Sequence, residues 1–139
     1  HAAAHQVLRL GSSELVSLAE RKLRGESIES TQLDPILSQF LNLPNAKMMD
    51  TLVLACTHFP LLRRQIQEWF VTQEMDVLMI DSGEAIARRV EYLLLELTQD
   101  NPTSAPEHLA LFTQESADID QLKPALSRYG FDQLDFIHL

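Results

Sequence analysis

"DTLVLACTHFPLLRRQI", residues 50–66, and "MDVLMIDSGEAIARRVE", residues 75–91, are two versions of one pattern set 25 residues apart. Laid one on the other, Cys56 falls on Asp81, Thr57 on Ser82, and Arg63-Arg64 on Arg88-Arg89. Each runs as an uninterrupted apolar strand, a polar turn and a helix with apolar residues at helical spacing. A strand without polar alternation implies burial on both faces, hence a parallel sheet covered by helices. Any two strand–helix units look alike to this degree, so the pattern sets the fold and leaves an internal duplication open.

Upstream, "HQVLRLGSSELVSLAERKLRGE", residues 5–26, predicts a strand at 6–10 that Gly11 and Ser12 break. Ser12 or Ser13 can cap the helix that follows. Leu15, Leu18, Ala19 and Leu23 share one face of that helix, and Gly25 ends it. Leu33, Ile36, Leu37, Phe40 and Leu41 mark a second amphipathic helix. Asp34 and Pro35 suit its first turn, where proline's missing N–H is not needed. "TQDNPTSAPEH", residues 98–108, is polar, carries two prolines and reads as a linker. Beyond it the pattern predicts a strand at 109–113, a helix over 118–129 closed by Gly130, and a last strand at 134–138. The order of elements is α/β, a doubly wound parallel sheet. In such sheets ligands bind at the carboxyl ends of the strands, where Cys56 and Asp81 both fall.

Composition narrows the function classes. The 139 residues, 45% hydrophobic and 22% charged, suit one globular domain, or one domain with part of another. The formal charge is −9, with no basic face for a phosphate backbone, so no nucleic-acid partner is expected. No apolar run approaches the ~18–20 residues of a membrane span, and the opening "HAAAH" has neither the charged lead nor the apolar stretch of a signal peptide. That opening reads as an appended scar or a ragged truncation and stays outside the fold argument. A single cysteine excludes an internal disulfide framework and fits a reducing cytoplasm. No cysteine–histidine cluster has zinc-ligand spacing, so no metal is expected.

The turn at Cys56 is where chemistry concentrates. A thiol near its ordinary pKa of ~8.5 is a poor base at neutral pH. A helix N-terminus just beyond it, marked by Pro60, would favour the thiolate and leave the N–H groups of Thr57, His58 and Phe59 to hold an anion such as a carboxylate. The Thr57 hydroxyl adds a hydrogen bond, and His58 exchanges a proton near neutral pH. The same residues admit a plainer reading: Cys56 as a small buried hydrophobe, Thr57 as a cap and His58 as a surface residue. Spacing alone does not choose between them.

"LVLACTHFPLL" followed by "IDSGEAIARRV" resembles glutamate racemase, a cofactor-independent enzyme that supplies D-glutamate for peptidoglycan. "LGSSELVSLAERKLRGE" and "LSRYGF" resemble its enterobacterial type, and the likeness covers roughly residues 6–139. Aspartate and hydantoin racemases share the fold and the cysteine chemistry but commonly lack a histidine after the threonine, so His58 tilts the choice toward glutamate. Those racemases, or a non-catalytic binding module of the same fold, are the alternatives.

The resemblance implies racemisation by two thiols, one removing the α-proton from one face and the other returning a proton to the opposite face. Cys56 matches the second of these. Thr57 and His58 match substrate-binding residues, His58 also assisting the thiol, and Glu20 matches an acidic residue that supports the histidine or is only a solvated helix carboxylate. Asp81 and Ser82 match no direct role and read as a strand-end turn and helix cap.

The family's first cysteine, in an Asn-Thr turn of an amino-terminal domain beside an early Asp-Ser-Gly, has no counterpart here. The chain is therefore expected to be the carboxyl-terminal half, inactive alone. Residues 1–98 would form the second of two pseudo-symmetric domains and 99–108 a linker. Residues 109–139 would be a βαβ segment that packs on the amino-terminal domain. The resemblance further implies no cofactor, glutamate as substrate, the amino-terminal half as partner with a homodimer also allowed, a cytoplasmic location, and a role in cell-wall synthesis and cell shape.

Overall fold

The computed structural model describes residues 6–97 and 108–137. The opening "HAAAH", nearly all of the expected linker and the last two residues lie outside them. The chain divides into two compact units, one of residues 6–22 with 27–81, the other of 23–26 with 82–97 and 108–137.

Helix α1 (Ser13–Leu23), all but its last residue in the first unit, begins as the sequence predicts, with the Ser12 hydroxyl accepting the Leu15 N–H at 3.1 Å. Leu15, Leu18 and Ala19 are buried and Leu23 is half-buried. Gly25 follows at a φ of 95°, a left-handed turn that suits glycine. A 3-10 turn (Ser30–Leu33) leads into α2 (Asp34–Leu41), with Pro35 in its first turn and Ile36, Leu37 and Phe40 facing the core. Strand β1 (Thr51–Val53) pairs in parallel with β2 (Leu78–Ile80), Leu52 opposite Met79. Between them, a 3-10 turn (Phe59–Leu62) precedes α3 (Arg63–Thr72). Helix α3 ends on Glu74 at a φ of 56°, with the Met75 N–H returning to the Phe70 carbonyl at 3.0 Å.

One core holds this unit together. Phe70, Leu33, Leu62 and Ile66 are its largest fully buried side chains. Trp69 stands edge-on to Phe70, with centroids 5.0 Å apart, and donates from Nε1 to Asp34 Oδ1 at 2.9 Å. That bond ties α3 to the start of α2.

Two expectations need correction. Residues 6–10 are not a strand. Leu8 and Leu10 turn inward and Val7 and Arg9 outward, as in a strand, but none of the described residues completes a ladder with them. Instead, Gln6 is held by side-chain bonds, donating to the Pro44 carbonyl at 3.3 Å and accepting from Asn45 at 2.9 Å. The apolar strands are also not covered on both faces. Leu52, Leu54, Val77 and Met79 are buried, whereas Val53, Leu78 and Ile80 are 60%, 63% and 45% exposed. An apolar run does not reveal which of its faces has a partner.

The second unit contains α4 (Gly83–Leu97), β3 (Leu109–Phe112), α5 (Ala117–Arg128) and β4 (Gln133–Phe136). Strands β3 and β4 run parallel, Ala110 opposite Leu134. Among the described residues, the parallel pairing thus falls in two separate two-stranded sheets, β1 with β2 and β3 with β4. Helix α5 closes as predicted. Gly130 sits at a φ of 87°, its N–H bonding to Ser127 and the Phe131 N–H to Leu126, a Schellman closure. Ala110, Ile119 and Ala125 are buried in this unit, whereas Ile86, Val90, Leu93 and Leu94 form an apolar stripe on α4 that stays exposed.

Candidate active site

Strand β1 delivers Cys56 to its carboxyl end. The Leu54 N–H still bonds to the Ile80 carbonyl at 2.8 Å, and the next residues leave the ladder. The Cys56 carbonyl then accepts the Phe59 N–H at 3.1 Å, closing a turn over residues 56–59. This turn folds the imidazole of His58 back toward the thiol, with Nδ1 3.8 Å from Cys56 Sγ. The opposite ring nitrogen, Nε2, lies 3.7 Å from Glu20 Oε1 on α1. Sulfur, imidazole and carboxylate thus form a line.

The distances define what each contact is. At 3.8 Å the Sγ–Nδ1 pair is within reach of a long sulfur hydrogen bond. The 3.7 Å contact to Glu20 is an ion-pair distance, too long for a hydrogen bond. With Nε2 protonated toward Glu20, Nδ1 is left to accept the thiol proton. Cys56 is half-buried, Thr57 exposed, and the side chains of His58 and Glu20 are 35% and 47% exposed.

The helix expected at Pro60 differs in a way that matters for the thiol. It is a four-residue 3-10 turn, and the α-helix proper starts only at Arg63. Since the field of a helix end fades within about one turn, the group that acts most directly on Cys56 is His58. Phe59 is also lost to anion binding, because its N–H is used by Cys56. Among the described residues, the N–H groups of Thr57 and His58 meet no protein acceptor.

Asp81, at the end of β2, also takes part in an ion pair. Its carboxylate accepts from Arg63 Nη1 at 2.7 Å, while Arg63 Nη2 donates to the Met79 carbonyl at 2.7 Å. The two strand–turn–helix repeats aligned in sequence are therefore linked within the first unit, Arg63 of the first repeat holding the strand end of the second. Ser82 takes the cap position by its backbone, accepting the Ile86 N–H at 2.9 Å. A cavity of about 390 Å³ lined by Asp50, Arg63, Asp76 and Met79 lies in this unit, and Cys56 is not among its lining residues. Among the described residues, no three His, Cys, Asp or Glu side chains group as a metal site would, and no helix is long and apolar enough to cross a membrane.

No family model matches this chain. Individual proteins do. It is 44% identical over 135 residues to glutamate racemase of Pectobacterium carotovorum subsp. carotovorum (strain PC1), which spans 96% of this chain and 45% of that protein. The Salmonella typhimurium glutamate racemase is 42% identical over 130 residues, 94% of this chain and 44% of its own length. Among solved structures, Escherichia coli glutamate racemase in complex with L-glutamate and the activator UDP-MurNAc-Ala matches with a TM-score of 0.75 at 36% identity, covering 95% of this chain and 47% of that one. Over nearly its whole length, this chain is similar to about half of each of these glutamate racemases. It spans about half the length of the curated relatives it matches.

Within the first unit, sequence reading missed a set of buried contacts next to the site. Lys22 Nζ donates to the Leu61 carbonyl at 2.6 Å and to Gln65 Oε1 at 3.0 Å. Gln65 is 2% exposed, and its Nε2 donates to the Ile28 carbonyl at 3.0 Å. Burial, and then the nearby Arg64 guanidinium, holds Lys22 below the usual lysine range. A signal was present: Lys22 continues the Leu15, Leu18 and Ala19 stripe at i+7, i+4 and i+3. A charge on the buried face of a helix requires a partner, though the spacing does not say which.

Proposed function

We propose that this chain is the carboxyl-terminal catalytic half of a glutamate racemase, with Cys56 as one of two acid–base thiols. The line from Cys56 through His58 to Glu20 carries this reading, because it places a proton acceptor beside the single thiol in a chain so similar to glutamate racemases. His58 takes the thiol proton at Nδ1, and Glu20 favours the charged imidazole that results. The thiolate removes the α-proton of glutamate from one face while a thiol of the amino-terminal half delivers a proton to the other. One C–H bond breaks and one forms, with no change of oxidation state, so the step calls for no redox cofactor. The N–H groups of Thr57 and His58, with the Thr57 hydroxyl, hold the α-carboxylate of the substrate.

The rest of the reading follows from this division of labour. Residues 1–98 form the second of two pseudo-symmetric domains, and 99–108 link it to residues 109–139, which pack on the amino-terminal half. The thin core of the last segment, where only Ala110, Ile119 and Ala125 are buried among the described residues, supports that packing. The product serves peptidoglycan synthesis in the cytoplasm.

The experiment is circular dichroism with L-glutamate. The complete enzyme, this half together with an amino-terminal half, is expected to drive the signal to zero, and the 139-residue chain alone to leave it unchanged. Sustained turnover by the chain alone, free of any full-length racemase, would sink the assignment of Cys56 as one of two required thiols.

A further inference from the structure

We infer that Lys22 is a positioning residue that acts through helix α1 to set Glu20 against His58; this rests on the proposed role of the Cys56–His58–Glu20 line. The carboxylate and the ammonium leave the same helix two residues apart and meet the same strand-turn-helix segment at different points. Glu20 meets His58 in the turn, and Lys22 meets the Leu61 carbonyl and Gln65 at the entry to α3. The lysine contact is the firmer of the two, with two short bonds and a buried Gln65 that is itself fixed to the Ile28 carbonyl. The Glu20 contact is longer and nearly half exposed.

Small sliding and rotation about its axis are the displacements a packed helix makes most readily against a neighbour. Side-chain ends lie about 5–6 Å from the axis, so a rotation of about 20° moves a carboxylate roughly 2 Å. That is enough to break a 3.7 Å contact. Apolar packing of Leu15, Leu18 and Ala19 resists such motion weakly, because it has no direction. The two bonds of Lys22 are directional, and they fall one half-turn of helix beyond Glu20. They fix both the slide and the rotation on which the Glu20–His58 distance depends.

The test uses the whole chain, whose single cysteine makes alkylation by iodoacetamide at pH 7 report on Cys56 alone. Glu20→Gln is expected to slow alkylation about two- to tenfold, the range set by one lost polar contact. Lys22→Met is expected to slow it by a similar factor, and Lys22→Arg, which keeps the donated bonds, to restore most of the rate. The double variant Glu20→Gln with Lys22→Met is expected to be no slower than Glu20→Gln, because both act on one contact. A Lys22 that served only stability would give a lower melting temperature with an unchanged or faster rate, since a loosened site exposes the thiol. That result for Lys22→Met, alongside a slowed Glu20→Gln, overturns the inference and leaves the site intact. An unchanged rate for Glu20→Gln overturns both. Should Lys22→Met fail to fold, Lys22→Ala, which also removes both donated bonds, takes its place, and a wild-type rate there overturns the inference.

Discussion

Replacement of His58 by asparagine is expected to lower racemisation by the complete enzyme roughly 10²–10⁴-fold, the usual contribution of a positioned acid–base group. Asparagine keeps some hydrogen bonding but cannot take up a proton near neutral pH. With Nδ1 3.8 Å from the thiol, the imidazole is the nearest group able to receive that proton, and the α-helix begins too far along the chain to substitute for it. The loss should be larger in the direction that begins with proton removal by Cys56. Glu20→Gln should give a smaller loss of the same kind, since it removes the carboxylate and leaves the imidazole. Steady-state rates in both directions decide the matter. Full activity in both variants with lower melting temperatures would make the two residues structural.

Trp69→Ala should give the largest loss of stability in the first unit, about 3–5 kcal/mol. The indole is 2% exposed, packs edge-on against Phe70, and supplies Asp34 with a hydrogen bond at the start of α2. Truncation opens a cavity between α2 and α3 and removes that bond as well. Against the roughly 5–15 kcal/mol of a whole domain, this approaches unfolding. Trp69→Phe, which loses the N–H and one ring of the indole but keeps an aromatic ring in the site, should cost less, about 1–3 kcal/mol. Urea denaturation followed by far-ultraviolet circular dichroism reads both. Equal losses in the two variants would place the energy in the hydrogen bond, and a loss below about 1 kcal/mol for Trp69→Ala would mean that this part of the core is loosely packed.

How far the sequence carried the structure depended on the range of the signal. The Ser12 cap, the Gly25 and Gly130 helix ends and the Leu33–Phe40 stripe were all legible, because each is decided within a few residues. The strand expected at 6–10 was not realised, since its alternation is local but its ladder requires a second strand. For the same reason the apolar runs at 52–54 and 77–80 did not disclose that Val53, Leu78 and Ile80 would stand exposed. The Cys-Thr-His turn was visible as a reactive turn, yet its helix end proved to be a 3-10 turn, and that moved the chemical emphasis onto His58. Glu20 came from resemblance alone, 36 positions from Cys56 and with nothing in its own helix to single it out. The Lys22–Gln65–Ile28 and Arg63–Asp81 contacts join residues 18 to 43 positions apart, a range at which periodicity carries no information.

The central claim, that Cys56 serves one face of the α-carbon, is tested most directly by proton exchange in deuterium oxide with the complete enzyme carrying Cys56→Ser. A serine hydroxyl is far too weakly acidic to replace the thiol in proton transfer at carbon. Nuclear magnetic resonance follows loss of the α-proton signal separately for D- and L-glutamate. The expected result is that racemisation stops, that exchange is lost for the enantiomer presenting its proton to Cys56, and that exchange without inversion persists for the enantiomer facing the other thiol. Exchange of both enantiomers at wild-type rates, with racemisation intact, would contradict the claim and remove Cys56 from the mechanism.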